Sequence, residues 1–364
     1  MHAYLVFSLL SIFALIFNKY LFVALVVVGI SCFLFLLPST GLDYYYYRQA
    51  FENAYLVQEF PWFKTDSIIT AEPFYLWYNS FLGVVFPFGF PFFLVVNFLI
   101  CFLLSYLAIR RVPKVDFGLF WAAILPVVVP TIFYFSPRSS VSFFLLLLSF
   151  FLVLQSRFKT AAIFMGGAFL VHSQYILVSA FIVLLNFFYP IVERSNGLSK
   201  KIYSASLIIC LAVALKMIGL LLTHIEFILS LLPSANIAIS KLRYFEGSSS
   251  GLRITAVLSV IVYPAMILLI GIQKQKGKLV YFESKGVDDR AQYFILMIIF
   301  FGAVINVVFF GDPHLAGRLS RFSDYLGLGV VMPMFFKLYF DRSLAVIFLW
   351  FLCFLGPILY PTVY

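Results

Sequence analysis

The sequence predicts an all-α, polytopic integral membrane protein of about ten to twelve transmembrane segments. Three observations carry that prediction: the composition, the way apolar residues cluster, and the distribution of charge along the chain. Of 364 residues, 63% are hydrophobic and 11% charged; a soluble domain carries about 25% charged residues. Mean hydropathy is +1.05. The apolar residues come in runs such as "YLVFSLLSIFALIF", "LFVALVVVGISCFLFLL" and "FFLLLLSFFLVL". These are apolar on every side, which only lipid or a membrane-embedded bundle can satisfy.

Taken in order, the runs predict ten full spans at 2–17, 20–37, 90–109, 117–135, 139–156, 202–223, 252–273, 291–311, 322–340 and 343–362. The first run has no basic segment before it and no small-residue cleavage site after it. It therefore reads as a span rather than a signal peptide. Placing alternate loops on one side collects sixteen Lys and Arg against six acids there, leaving nine of each elsewhere. The whole excess of +10 thus falls on one face, which the positive-inside rule makes cytoplasmic. Both termini then face outward. Residues 160–189 lie between two basic loops, Arg157/Lys159 and Arg194/Lys200/Lys201, so this segment must enter and return. At about 30 residues it is too short for two full spans of about 20 each. We expect two short helices or a re-entrant hairpin breaking near His172-Ser173-Gln174, where irregular backbone needs protein or a wet cavity around it.

Residues 1–364 read as a single transmembrane domain with two sizeable outward loops. The larger, 38–89, mixes polar and aromatic residues, and its stretches 44–60 and 72–86 suit amphipathic helices lying along the outer interface. The second, 224–251, ends in a Gly/Ser tail expected to be flexible. Cys32, Cys101, Cys210 and Cys353 all sit inside apolar runs without metal-ligand spacing. They read as small hydrophobes, so neither a disulfide framework nor a zinc site is expected. No phosphate-binding loop, nucleophile elbow, zinc-protease or calcium-loop motif occurs. The expectation is no metal, no cofactor and no nucleic acid partner.

The residues that topology leaves unexplained lie outward. In Asp43-Tyr44-Tyr45-Tyr46-Tyr47-Arg48 the tyrosines alone fit an interfacial belt. Flanked by Asp43 and Arg48, they also fit a sugar-binding surface, with rings for C–H faces and charged groups for hydroxyls. Arg138, in "YFSPRSSV", stands at an outer turn, where the charge bias gives no reason for an anchoring cation. Its planar fork suits a phosphate or pyrophosphate. Arg318, Arg321 and Tyr325 follow i, i+3, i+7 spacing and would share one face of a helix that begins early. Lys216 lies inside a span, where an ionisable group needs a partner or a wet cavity. His172 could be a core histidine, a general base or a phosphate donor. Glu72, before Pro73, is either an ordinary helix start or a further acid of the site.

The order of "STGLDYYYY", "AEPFYLWYNSFLG", "SPRSSVSFFLLLLSFFLVLQSRFKTAAIF", "FLVHSQYILVSAF" and "GRLSRFSDYLGL" resembles the EpsG family, a branch of the Wzy-type O-antigen and exopolysaccharide polymerases. The family's Gly-x-Asp-Tyr-x-x-Tyr corresponds to Gly41 to Tyr47, its Glu-Pro to Glu72-Pro73, its inter-span arginine to Arg138 and its His-small pair to His172-Ser173. Where the family often has Arg-Gln, this chain has Arg138-Ser139, so no role carries over for a glutamine. The resemblance implies a GT-C-like glycosyltransferase of the bacterial inner membrane acting on the periplasmic side. Its implied partners are undecaprenyl-pyrophosphate-linked oligosaccharides, membrane lipid and a chain-length regulator protein. Under this reading Asp43, Glu72 and His172 are candidate bases. Arg138, Arg318 and Arg321 bind pyrophosphate, and Tyr44, Tyr47, Arg48 and Tyr325 bind glycan. A lipid-linked oligosaccharide flippase and an O-antigen ligase are the rival readings. The absence of repeated halves in the sequence argues against a transporter.

Overall fold

A computed structural model describes residues 47–49, 51–52, 73–85, 89–112, 115, 117–128, 137–195, 197, 202–214, 216–217, 257–275, 285–309 and 313–339. The spans expected at 2–17, 20–37 and 343–362, together with Asp43, Tyr44 and Glu72, lie outside the described residues. In chain order the helices are α1 (Pro73–Val85), α2 (Phe90–Ile109), α3 (Phe117–Val128), α4 (Pro137–Leu154) and α5 (Phe158–Val171). A 3-10 turn, Ser173–Tyr175, leads into α6 (Ile176–Arg194), followed by α7 (Ile202–Ala214). A π-helical segment, Leu258–Val262, opens α8 (Tyr263–Gln275). Then come α9 (Lys285–Val308), α10 (Pro313–Leu319), α11 (Arg321–Leu326), a second π-helical segment Gly327–Val331, and α12 (Met332–Tyr339). Among the described residues there is no strand. Four stretches, Phe90–Ile109, Pro137–Leu154, Ser173–Arg194 and Asp288–Val308, are long and apolar enough to cross a bilayer. The protein is an integral membrane protein.

The chain divides into two compact units, residues 1–176 with 328–364, and residues 177–327. In the first unit α4 is the core. Its span window is 89% buried against 44% for α2, so α4 is enclosed by protein while α2 keeps one face for lipid. It opens on Pro137, a residue suited to the first helical position because that N–H has no intrahelical partner. Serines let neighbours approach: Ser142 and Ser149 donate to the carbonyls of Ala168 and Ala161, both at 2.8 Å, tying α5 antiparallel to α4. Small residues and hydroxyls are the usual adhesive between helices in lipid. Trp121 of α3 donates to Ser105 of α2 at 3.0 Å and stacks on Phe144 of α4 at 5.6 Å. Asn97 meets Ser140 at one end of the α2–α4 pair and Arg111 meets Gln155 at the other, so these helices run parallel. The two contacts are separated by roughly 21 Å at 1.5 Å per residue, most of a hydrocarbon core.

The basic end of this unit is closed by a backbone device. Ser156 has φ of 60°. The Arg157 N–H bonds the Leu152 carbonyl at 2.9 Å and the Ser156 N–H bonds that of Val153 at 3.0 Å. These are the two bonds of a Schellman cap, formed with serine where glycine is usual. The Arg111 guanidinium donates to Gln155 at 2.8 Å, and the Gln155 amide donates back to the Arg111 carbonyl at 3.4 Å. Partial burial, reinforced by Arg157 and Arg110, lowers the Arg111 pKa from its ordinary value.

In the second unit α6 and α9 run antiparallel, with Phe181 stacked on Phe301 at 4.7 Å and Tyr189 edge-on to Phe294 at 5.9 Å. Arg290 caps that seam: it donates to Asn186 and lies 5.7 Å from the Tyr189 ring and 5.2 Å from that of Phe294. Gly302 of α9 is required by close approach, since a Cβ there would collide with Ser323.

The segment expected over 160–189 breaks near His172, as the sequence predicted. α5 ends at Val171 and His172 adopts an extended φ of −155°. The second arm differs from expectation. It runs through Pro190 to Arg194 and, counted from Ser173, reaches 22 residues. The arms are therefore one short helix and one of span length, not two short ones. Pro190 costs the helix one hydrogen bond, a loss tolerated in transmembrane helices.

Ser156→Gly is expected to raise stability by about 0.5–1 kcal/mol by removing the left-handed strain, and Ser156→Val to lower it. Thermal unfolding in detergent of the two variants against the parent checks both signs. Gly302→Leu is expected to prevent accumulation of folded protein, read as loss of the monodisperse peak after extraction.

Candidate functional site

The end of the first unit opposite Arg111 and Arg157 is built from aromatic and amide side chains around the start of α4. Residues 47–49 and 51–52 are helical and bury Tyr47 and Phe51. The Arg138 guanidinium carbon lies 5.7 Å from the centroid of the Tyr47 ring, a cation–π contact. Tyr47 in turn meets Tyr75 of α1 edge-on at 5.9 Å. The exposed face of α1 is an aromatic ladder, Phe74 to Trp77 at 5.4 Å and Trp77 to Phe81 at 5.6 Å. Its buried face carries Tyr75, Leu76, Asn79 and Leu82. This inversion, with rings outward and polar groups inward, suits a helix lying in the membrane interface.

A hydrogen-bond chain runs from α1 into α4. The Tyr78 hydroxyl donates to Asn97 Oδ1 at 3.0 Å. Asn97 Nδ2 donates to Ser140 Oγ at 2.9 Å and reaches the Pro137 carbonyl at 3.5 Å. Ser140 Oγ donates to that same carbonyl at 2.6 Å. The carbonyl next to Arg138, that of Ser139, accepts from the Tyr175 hydroxyl at 3.4 Å, and the His172 ring stands edge-on to Tyr175 at 6.3 Å. Burial, with smaller contributions from Cys101 and Tyr75, pushes the Tyr78 phenol well above its ordinary pKa, so it stays a neutral donor. Tyr47 and Arg138 are thus brought together directly, and His172 is linked to them through Tyr175.

The other expected residues are placed differently. Arg48 forms an ion pair with Glu52 at 2.6 Å, both about half exposed, a contact that adds little to stability. In the second unit α10 ends at Leu319 and α11 begins at Arg321, with backbone bonds carried across by Ser320. Arg318 is exposed, Arg321 half-buried and Tyr325 buried. The three therefore do not present one common surface, because Tyr325 turns inward with the residues around it. Asp324 is buried and accepts from Ser320 Oγ at 2.7 Å. Lys216 is exposed. Sequence reasoning passed over Asn97, Tyr78, Ser140 and Tyr175. A signal for Asn97 was present, since it is the one amide in the otherwise apolar "FPFFLVVNFLICFLLSYLAI", and a polar group inside a span marks a site or a packing bond.

These features define a helical integral membrane protein with a buried polar network beside Arg138. The chain matches the EpsG family over residues 19–363 and belongs to it. Membership implies a function in polysaccharide polymerisation. Neither the curated proteins nor the solved structures give a match.

Asn97→Leu is expected to cost about 1–3 kcal/mol by stranding the Tyr78 hydroxyl. Adding Tyr78→Phe should recover part of the loss, since that orphan is then gone. Melting temperatures of the two single variants and the double variant measure that coupling.

Proposed function

We propose that this protein is a metal-independent polysaccharide polymerase of the bacterial inner membrane. It transfers a glycan from undecaprenyl pyrophosphate to a lipid-linked repeat unit at the periplasmic face. The single observation that carries this reading is Arg138 in the first turn of α4, lodged over Tyr47. A cation there opposes the positive end of the helix dipole and gains nothing from the positive-inside rule. Guanidinium and helix N-terminus together instead complement an anion, and the leaving group of this reaction is a pyrophosphate.

In the transfer, the bond between the anomeric carbon and the pyrophosphate oxygen breaks, and its electron pair stays on that oxygen. Arg138 stabilises the charge that develops there; Arg318 and Arg321 are the candidate pyrophosphate ligands of the second unit. The acceptor hydroxyl oxygen forms the new bond, and its proton passes to a base for which Asp43, Glu72 and His172 are the candidates. Tyr44, Tyr47, Arg48 and Tyr325 are assigned to glycan contact. A pyrophosphate leaves readily, so positioning supplies much of the rate.

Deleting the gene in the parent cell is expected to leave single repeat units attached to their carrier, seen as collapse of the glycan ladder on a gel. Loss of all attached glycan would identify a flippase or ligase instead. Arg138→Ala and Arg318→Ala are each expected to abolish chain growth at unchanged protein level. Normal ladders from both variants would sink the pyrophosphate assignment.

A further inference from the structure

Asn79 is fully buried, and neither its Oδ1 nor its Nδ2 has a hydrogen-bond partner. Asn97, the buried amide nearby in the same unit, uses both of its polar atoms on Tyr78, Ser140 and Pro137. Buried amides are almost always satisfied, so an amide that the fold holds closed and leaves unused needs a reason. Its neighbours say where it points. One turn before it, Tyr75 packs on Tyr47. One turn after it, Gly83 faces Phe51, whose ring would lie 3.6 Å from an added Cβ. Residues one turn apart share a helix face, so Asn79 looks toward the 47–52 segment, on the side of α1 away from the exposed Phe74, Trp77 and Phe81. Tyr47 on that segment is the residue that holds Arg138. Gln174 Nε2 is also buried without a partner, one residue before the Tyr175 that bonds the Ser139 carbonyl.

We propose that Asn79 is the specificity-determining residue of a sugar subsite next to Arg138, its carboxamide receiving a hydroxyl pair of the repeat unit. An amide offers one acceptor and two donors, and adjacent ring hydroxyls accept from and donate to such a group at once. α1 and the 47–52 segment meet through ring contacts, Tyr47 on Tyr75 and Phe51 on Gly83, and a sugar enters by parting those rings. The proposal rests on the glycan-transfer reading for the identity of its ligand, but it is tested by binding rather than by turnover.

The probe is the free repeat-unit oligosaccharide, released by mild acid from the carrier lipid of a gene-deleted parent strain, so that it carries neither lipid nor phosphate. It is titrated into the full-length protein in nanodiscs. Asn79→Leu is expected to melt no lower than the parent, because an idle buried amide contributes nothing to the fold. The same variant should bind the oligosaccharide at least about tenfold more weakly, the effect of losing one or two good hydrogen bonds. Equal affinity in parent and variant overturns the proposal. So does a lower melting temperature, which would mean that the fold itself uses the amide, and so does a parent protein that binds no oligosaccharide. A parent that binds but never lengthens lipid-linked repeats would defeat the polymerase reading and leave the subsite standing.

Discussion

Two hydrogen bonds from serine to backbone, Ser142 to Ala168 and Ser149 to Ala161, set the geometry on which the first unit depends. Inside hydrocarbon there is no water to satisfy a hydroxyl. Each serine must therefore bond within its own helix or to a neighbour close enough to touch. Here they bond to α5, and the small side chains let the two helices approach closely enough for those bonds to form. Because both bonds are made, the register of α5 against α4 is fixed over about two turns. The end of α5 then delivers His172 and the Ser173–Tyr175 turn beside the start of α4, where Tyr175 reaches the Ser139 carbonyl.

The two ends of that helix pair are solved by different chemistry. At the basic end a guanidinium and an amide exchange hydrogen bonds, Arg111 with Gln155, over a helix cap that forces Ser156 into left-handed backbone. At the other end the chain of bonds is neutral, from Tyr78 through Asn97 to Ser140 and Pro137, and Arg138 lies beside it over the Tyr47 ring.

Much of the fold was legible in the sequence. α2 occupies residues 90–109 as the apolar run predicted, and α1 begins at Pro73 and ends before the Phe86-Pro87 breaker. The break at His172 followed from charge alternation alone. The length of α6 did not, because the expected segment ends at 189 while the helix continues through Pro190 to Arg194. The boundaries of α4 shifted by two residues for a related reason. Pro137 can open a helix, and the Ser156 cap closes it earlier than hydropathy suggests.

The candidate site was legible only in its charged members. Arg138 stood out because no topological rule explained it, and the tyrosines because they were crowded together. By itself, then, the sequence determined that the chain lives in a membrane, where the segment after Arg157 breaks, and which cations need another explanation. Period, hydropathy and charge count are properties of residue types along the chain, so they survive without coordinates. Tertiary structure alone decided that Tyr47 holds Arg138, that Asn97 is satisfied and Asn79 is not, and that Arg318 faces outward while Tyr325 is buried. Those outcomes depend on which helix lies beside which and in what register, and single hydroxyls bonding to carbonyls far away in sequence set that register.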